Sequence, residues 1–318
     1  MIEPKATDQN LYELVEDFFA TSFSTDNPLI TEAVRRMLAA GGKRLRPRMT
    51  LLAAEAGGAQ AQDHLPLAAY MELIHVATLI HDDVVDRADT RRGVNATAVD
   101  FGNRISVLAG DYLFAWIFKN VTAQYPAPVP HILSATLADI CDGEVLQLRA
   151  LGNLDLPLAD YIEVVLKKTA SLFAASAECG AIMSGASAGH IAALREYGLA
   201  YGVAFQMKDD LLDLTADAAA LGKPVGNDLR ERKMTIPLIL ALRGQDHEFR
   251  TAVERLYAGE SDQGLAAVIA GITAQGGLDG TRAQIAHYVE KAKLSLVPLG
   301  NVPAREALAE LADALLVE

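Results

Sequence analysis

Residues 67–86 read LAAYMELIHVATLIHDDVVD. Their apolar side chains recur at helical rather than alternating spacing, and Pro66 just ahead suits a first helical turn. The reading is one long, largely buried helix with Asp82, Asp83 and Asp86 at its end. At 100° per residue Asp82 and Asp86 stand one turn apart on nearly the same face, and Asp83 meets Asp86 at i,i+3. Three like charges this close repel. Taken alone, such a triad reads as readily as a solvated acidic face as it does as a binding site. The pattern returns, however, at Asp209, Asp210 and Asp213, directly after Ala204-Phe205-Gln206-Met207-Lys208. Carboxylates at the edge of buried helices need compensation by cations. Two triads facing one another would offer oxygens to Mg²⁺, with phosphate and water completing its octahedral shell.

Outward from this helix the texture stays the same. Helical segments run from Leu11 to a polar turn at Ser24–Pro28, from Leu29 to Ala40 before Gly41-Gly42, and then to Gly57-Gly58. Further ones are expected at about 105–120, 131–150, 158–185, 189–216 and 235–243, with the last third less distinctive. Aromatic residues make up only 6% of the chain and few runs look like strands. No Pro/Gly/Ser-rich linker divides the sequence. The expectation is a single all-α domain over residues 1–318.

The net charge of −13 argues against nucleic acid as a partner and requires any anion site to be locally basic or metal-rich. The start, MIEPKATDQN, has neither a basic n-region nor an apolar h-region. Charged residues interrupt the apolar runs before membrane-spanning length. Cys141 and Cys179 are too far apart in sequence to form a metal motif. A cytoplasmic protein without stable membrane insertion follows, with a transient membrane contact left open.

Basic residues lie beside glycine turns and beside both triads. Lys43-Arg44-Leu45-Arg46-Pro47-Arg48 packs four cations into six residues; Arg91 and Arg92 follow the first triad. Lys168 sits in Lys-Lys-Thr-Ala, and Lys223 and Lys233 follow the second triad. Arg offers phosphate a planar fork and Lys a point charge. No Walker loop or dinucleotide glycine fingerprint accompanies them, so the phosphate is not gripped in the nucleotide-binding way.

These residues resemble the trans-type (head-to-tail) isoprenyl diphosphate synthase family over about Leu29 to Leu242. The carriers, in order, are Gly41 to Pro47, Leu79 to Asp86, Arg91-Arg92-Gly93, Gly110-Asp111-Tyr112-Leu113, Lys168-Thr169-Ala170, Phe205 to Asp213 and Gly222 to Leu229. The resemblance implies an antiparallel helical bundle around a deep central cavity, usually a homodimer. It places about three Mg²⁺ ions between the triads and the diphosphate of an allylic substrate. Arg91, Lys168, Lys223 and Lys233 would bind that diphosphate. Lys43, Arg46, His75 and Arg92 would bind isopentenyl diphosphate. The carbonyl of Lys168, the hydroxyl of Thr169 and the side-chain oxygen of Gln206 would steady the allylic cation left by ionisation. Two departures stand out. Arg232 occupies a position that is often glycine in the family, and the C-terminus, Ala314 to Glu318, lacks the basic tail of some relatives.

In the same family, the residues four and five before the first triad line the upper tunnel. Here they are the small Thr78 and Ala77, so a long product of roughly C30 to C50 is expected, such as a quinone side chain. Tyr70, seven residues from Ala77 and about 10 Å deeper, is one candidate floor. Phe114, Trp116, Ile117 and Phe118 form another. A shorter geranylgeranyl or farnesyl product, or a catalytic subunit of a heteromeric synthase, is the alternative. A terpene cyclase would replace the second triad and need no Lys43, Arg46 and His75. An HD-type phosphohydrolase would need more clustered histidines, and a non-catalytic subunit would have lost a triad.

Overall fold

The computed structural model describes residues 6–91, 93–215, 225–259 and 264–317, with side chains from residue 13 onward. The chain is all-helical apart from one two-stranded hairpin and connecting turns among the described residues. Two compact units divide it. The first comprises residues 1–134, 175–195 and 301–305; the second comprises residues 135–174, 196–300 and 306–318.

The first unit opens with α1 (Ala6–Ser22), α2 (Pro28–Ala39), α3 (Leu45–Ala56) and α4 (Leu65–Val85). Asn27 caps α2: its side-chain oxygen accepts from the backbone N–H of Leu29 at 3.1 Å and Ile30 at 3.5 Å, and Pro28 leads the helix. Beyond α2, Gly41 takes φ 76°, a left-handed turn that costs glycine nothing. The same loop holds Arg44 at φ 47°, uncommon for a residue with a Cβ, and buries its side chain.

The helix expected over Leu67–Asp86 is α4, with Asp86 as its C-cap. It is buried from Leu67 to Ile74 and again at Val76, Ala77 and Ile80. A hairpin of β1 (Thr90–Arg91) and β2 (Val94–Asn95) and the short α5 (Thr97–Phe101) lead into α6 (Asn103–Gln124), which packs along α4. Strands of two residues are too short to show an alternating pattern, so the sequence carries no sign of the hairpin. Between α4 and α6, Tyr70 meets Trp116 edge-on with ring centroids 5.9 Å apart, and Phe18 and Tyr125 at 5.8 and 6.3 Å. Phe23 joins through Trp116 at 5.4 Å. The two separately expected tunnel floors, Tyr70 and the Trp116 segment, are thus one aromatic cluster.

α7 (Pro128–Ala150), α9 (Ser171–Met183) and α10 (Ala188–Thr215) contribute residues to both units. The second unit further holds α8 (Leu158–Val165), α11 (Asn227–Arg230), α12 (Ile236–Leu242), α13 (His247–Tyr257), α14 (Gly264–Ala274), α15 (Gly277–Ser295) and most of α16 (Pro303–Asp313). The helix expected over about 158–185 runs unbroken over Leu158–Met183, with a π turn at Leu166–Ala170 inserted between α8 and α9. An extra residue inside a continuous helical run leaves hydrophobic periodicity nearly unchanged, so only the coordinates reveal it.

Backbones approach closely on both sides of this turn. A Cβ on Gly143 of α7 would lie 2.6 Å from the Lys168 nitrogen, and one on Gly202 of α10 would lie 2.5 Å from the Ala170 Cα. Gly198, one turn before Gly202, meets Ala174 in the same way at 2.6 Å. Further along α10, Tyr197, Tyr201 and Phe205 stack on successive turns, and the latter two pack against Phe173. Among the described residues, no helix is long and apolar enough to cross a membrane.

Candidate active site

The first triad sits at the end of α4. Asp83 is 0% exposed, whereas Asp82 and Asp86 are half-buried. A buried carboxylate needs a cation, and the hairpin supplies it: Gly93 turns the chain at φ 79° and returns Arg91 to Asp83. The Arg91 guanidinium donates to Oδ1 through Nε at 2.7 Å and Nη2 at 2.5 Å. Arg91, expected on a diphosphate, is therefore also the partner of the triad's inner carboxylate. Its neighbour Arg92 lies outside the described residues.

The cationic run at 43–48 divides into separate jobs. Arg44 is turned into the protein, donating to Glu16 at 2.6 Å, to Glu72 at 3.0 Å and to the Leu38 carbonyl at 3.1 Å. Lys43 is exposed and Arg46 is buried. His75 is half-buried on α4, two turns before Asp82, and its carbonyl accepts the Thr78 hydroxyl at 2.8 Å. Ala77 beside it is fully buried.

His81 stands immediately before the triad. Its Nε2 lies 3.1 Å from the Val107 carbonyl and 3.4 Å from Asp111. A Cβ on Gly110 would fall 2.3 Å from that nitrogen and 2.6 Å from Cδ2. This explains the glycine of Gly110-Asp111-Tyr112-Leu113, since α6 crosses α4 at the His81 ring. Alanine normally strengthens a helix interior by about 1 kcal/mol over glycine. Gly110→Ala is expected to do the opposite, lowering unfolding free energy by about 1–2 kcal/mol through overpacking. Chemical denaturation of both proteins reads the sign directly, and a stabilised variant would remove this account of the contact.

The second triad, on α10, is arranged differently. Asp209 is exposed, while Asp210 and Asp213 are buried. Asp213 Oδ2 accepts from the Asp228 backbone N–H at 3.2 Å and its carbonyl accepts from Gly226 at 2.8 Å, so the segment starting at Gly226 folds back onto the triad. Asp210 is enclosed by donors. Gln206 Nε2 donates to Oδ1 at 2.9 Å; the Tyr161 hydroxyl donates to Oδ2 at 2.7 Å and the Ile236 N–H at 3.4 Å. Burial pushes the Asp210 carboxyl up to about 6, with Asp209 adding to the rise and the Gln206, Tyr161 and Ile236 bonds opposing it. Burial, then the Asp210 charge, raises Tyr161 well above the usual phenol range, so it stays a donor.

The π turn brings Lys168 and Thr169 to the same place. Thr169 Oγ1 donates to Gln206 Oε1 at 2.8 Å, and Lys168 pairs with Glu144. Lys233 pairs with Glu231 at 2.6 Å, and Lys223 lies outside the described residues. Lys208, between Gln206 and Asp209, donates to the carbonyls of Ala314 at 3.2 Å and of Val317, docking the C-terminal segment on α10 without a basic tail.

Sequence reading missed Tyr161, Glu144 and Gly143. The glycine of Cys141-Asp142-Gly143-Glu144, inside a helical run, was a usable signal. Tyr161 gave none, because a tyrosine in an apolar helix reads as core. Among the described residues, no three His, Cys, Asp or Glu side chains converge as a ligand set. Asp82 and Asp86 at the end of α4, and Asp209 on α10, are the less buried carboxylates of their triads, and oxygen donors of this kind suit hard cations.

Comparison with known proteins supports the same assignment. Residues 27–271 match the Polyprenyl synthetase family. Octaprenyl diphosphate synthase of Escherichia coli K12 is 40% identical over 293 residues, covering 91% of this chain and 90% of the relative. The crystal structure of a decaprenyl diphosphate synthase from Rhodobacter capsulatus superposes with a TM-score of 0.91 at 40% identity, covering 98% of this chain and 96% of that one. A polyprenyl synthase from Caulobacter crescentus CB15, crystallised with calcium and isoprenyl diphosphate, gives 0.90 at 39% identity, with 98% and 95% covered. With these matches spanning both triads and the segments between them, the chain belongs to the polyprenyl synthetase family.

Proposed function

We propose that this protein condenses isopentenyl diphosphate repeatedly with an allylic prenyl diphosphate, releasing diphosphate and a long-chain all-trans polyprenyl diphosphate of roughly C30 to C50. The observation that carries the reading is the division of labour within both triads. Buried carboxylates (Asp83, Asp210, Asp213) are held by protein donors, and Asp82, Asp86 and Asp209 are the more exposed members of each triad. The all-oxygen donor set suits Mg²⁺, which when bound neutralises charge on the departing diphosphate. Asp82, Asp86 and Asp209 would hold it most directly, with the other three carboxylates supporting them.

Arg91, Lys168, Lys223 and Lys233 bind the allylic diphosphate. Arg91, Lys168 and Lys233 are each pre-positioned by a carboxylate, Asp83, Glu144 and Glu231 in turn. Lys43, Arg46, His75 and Arg92 hold isopentenyl diphosphate. As the allylic C–O bond breaks, the Thr169 hydroxyl oxygen, the Gln206 carbonyl and the Lys168 backbone carbonyl present partial negative charge to the cation. The proton lost after condensation passes to the released diphosphate, so no side-chain base is needed.

Product length follows from α4. Thr78 and Ala77 are small side chains that would not block a growing chain, and growth stops at the cluster of Tyr70 and Trp116. Residues 1–318 act as one domain, consistent with a family match that runs through both units. A homodimer is supported by the exposed apolar row Val107, Leu108 and Tyr112 on α6, where Leu108 is 54% exposed. The purified protein, given labelled isopentenyl diphosphate, farnesyl diphosphate and Mg²⁺, is expected to release products of C30 or longer. Release of only C15 or C20 diphosphate would overturn the long-chain reading.

A further inference from the structure

Tyr161 is a buried side chain at the second triad to which the proposed reaction gives no task. It lies on α8, a little over one turn before the π turn, and its hydroxyl donates to Asp210 Oδ2 at 2.7 Å. Its burial is nearly complete, at 5% exposure. On the other side of the same carboxylate, Oδ1 accepts the amide N–H of Gln206 at 2.9 Å. That bond determines which way the amide faces: its nitrogen points to Asp210, and its oxygen is left toward Thr169, 2.8 Å away. An amide turned over would bring its nitrogen to the Thr169 side and repel a developing cation.

We propose that Tyr161 is a positioning residue which, by clamping Asp210, holds the Gln206 carbonyl oxygen toward the allylic cation. The inference rests on the proposed prenyl transfer and on the cation-facing role of Gln206. It also separates Asp210 from its partner Asp209. Both Asp210 oxygens are engaged by protein donors, so this carboxylate acts by orienting an amide while exposed Asp209 faces solvent. Removing the phenol hydroxyl leaves Oδ2 with the longer Ile236 N–H bond at 3.4 Å, so Asp210 is held less firmly as the partner of Gln206.

A double-mutant cycle tests this. Tyr161→Phe is expected to lower kcat by about 10- to 100-fold, with KM for both diphosphates within about twofold, because the loss is felt where charge develops. Gln206→Ala is expected to lower kcat at least as far. In the double variant the tyrosine change should add less than about threefold, since residues acting through one group are non-additive. Multiplying effects, or wild-type kcat in Tyr161→Phe, would overturn the proposal. Near-normal activity in Gln206→Ala would instead overturn the cation role of Gln206, a separate failure. If Tyr161→Phe is less than half folded at the assay temperature, Asp210→Asn replaces it in the cycle, with the same non-additivity expected and additivity decisive against the idea.

Discussion

Asp82→Ala is expected to reduce kcat by about 100- to 1000-fold while leaving the protein folded, the magnitude associated with removing one preorganised electrostatic contact to a charged transition state. Asp82 ends an otherwise apolar helix and is half-buried, with Asp86 one turn on. The buried stretch of α4 stops at Ile80 apart from Asp83, so Asp82 lies outside the buried core of the helix. Loss of one of three neighbouring negative charges relieves repulsion worth a few tenths of a kcal/mol, so thermal stability should hold or rise slightly. The Mg²⁺ concentration giving half-maximal rate should rise as well, because one of the few protein oxygens for the cation is gone. Near-normal turnover at unchanged Mg²⁺ dependence would remove the metal role from the first triad. Asp83→Ala provides the contrast. Its half-buried partner Arg91 would lose the carboxylate that holds it, so both stability and rate should fall.

The largest effect on stability is expected from Arg44→Met. The Arg44 and Glu72 side chains are each 3% exposed and 3.0 Å apart, with Glu16 at 2.6 Å on the other side. Breaking a buried ion pair from one side leaves an uncompensated charge and costs about 3–5 kcal/mol. Urea denaturation should show a lower midpoint with little change in slope. Lys43→Ala, one residue away and exposed, should change stability by no more than about 0.5 kcal/mol. Its effect should fall on KM for isopentenyl diphosphate. Replacing both partners, as in Arg44→Met with Glu72→Leu, should recover much of the loss, because no buried charge is then stranded from that pair. Equal stability of Arg44→Met and wild type would end the view of Arg44 as an internal anchor.

These two contrasts mark the boundary between sequence and tertiary structure in this protein. The helical class, the position of α4, the two triads and the order of the basic segments were legible from local pattern. Apolar spacing is a property of neighbouring residues, and a carboxylate triad repeated at the end of two apolar helices is a chemical demand visible without coordinates. The sequence could not tell like residues apart. Arg44 and Arg46 are two positions apart in one basic run, yet Arg44 meets Glu72, 28 residues away. Asp209 and Asp210 are adjacent, yet only Asp210 meets Tyr161, 49 residues away. The π turn that presents Lys168 and Thr169 is likewise invisible to periodicity, although Gly143 and Gly202 mark where backbones close on it. Burial and hydrogen-bond partners come from segments distant in the chain. The sequence therefore determined which chemical groups this protein possesses, and tertiary packing decided which of them are held in place and which are left facing outward.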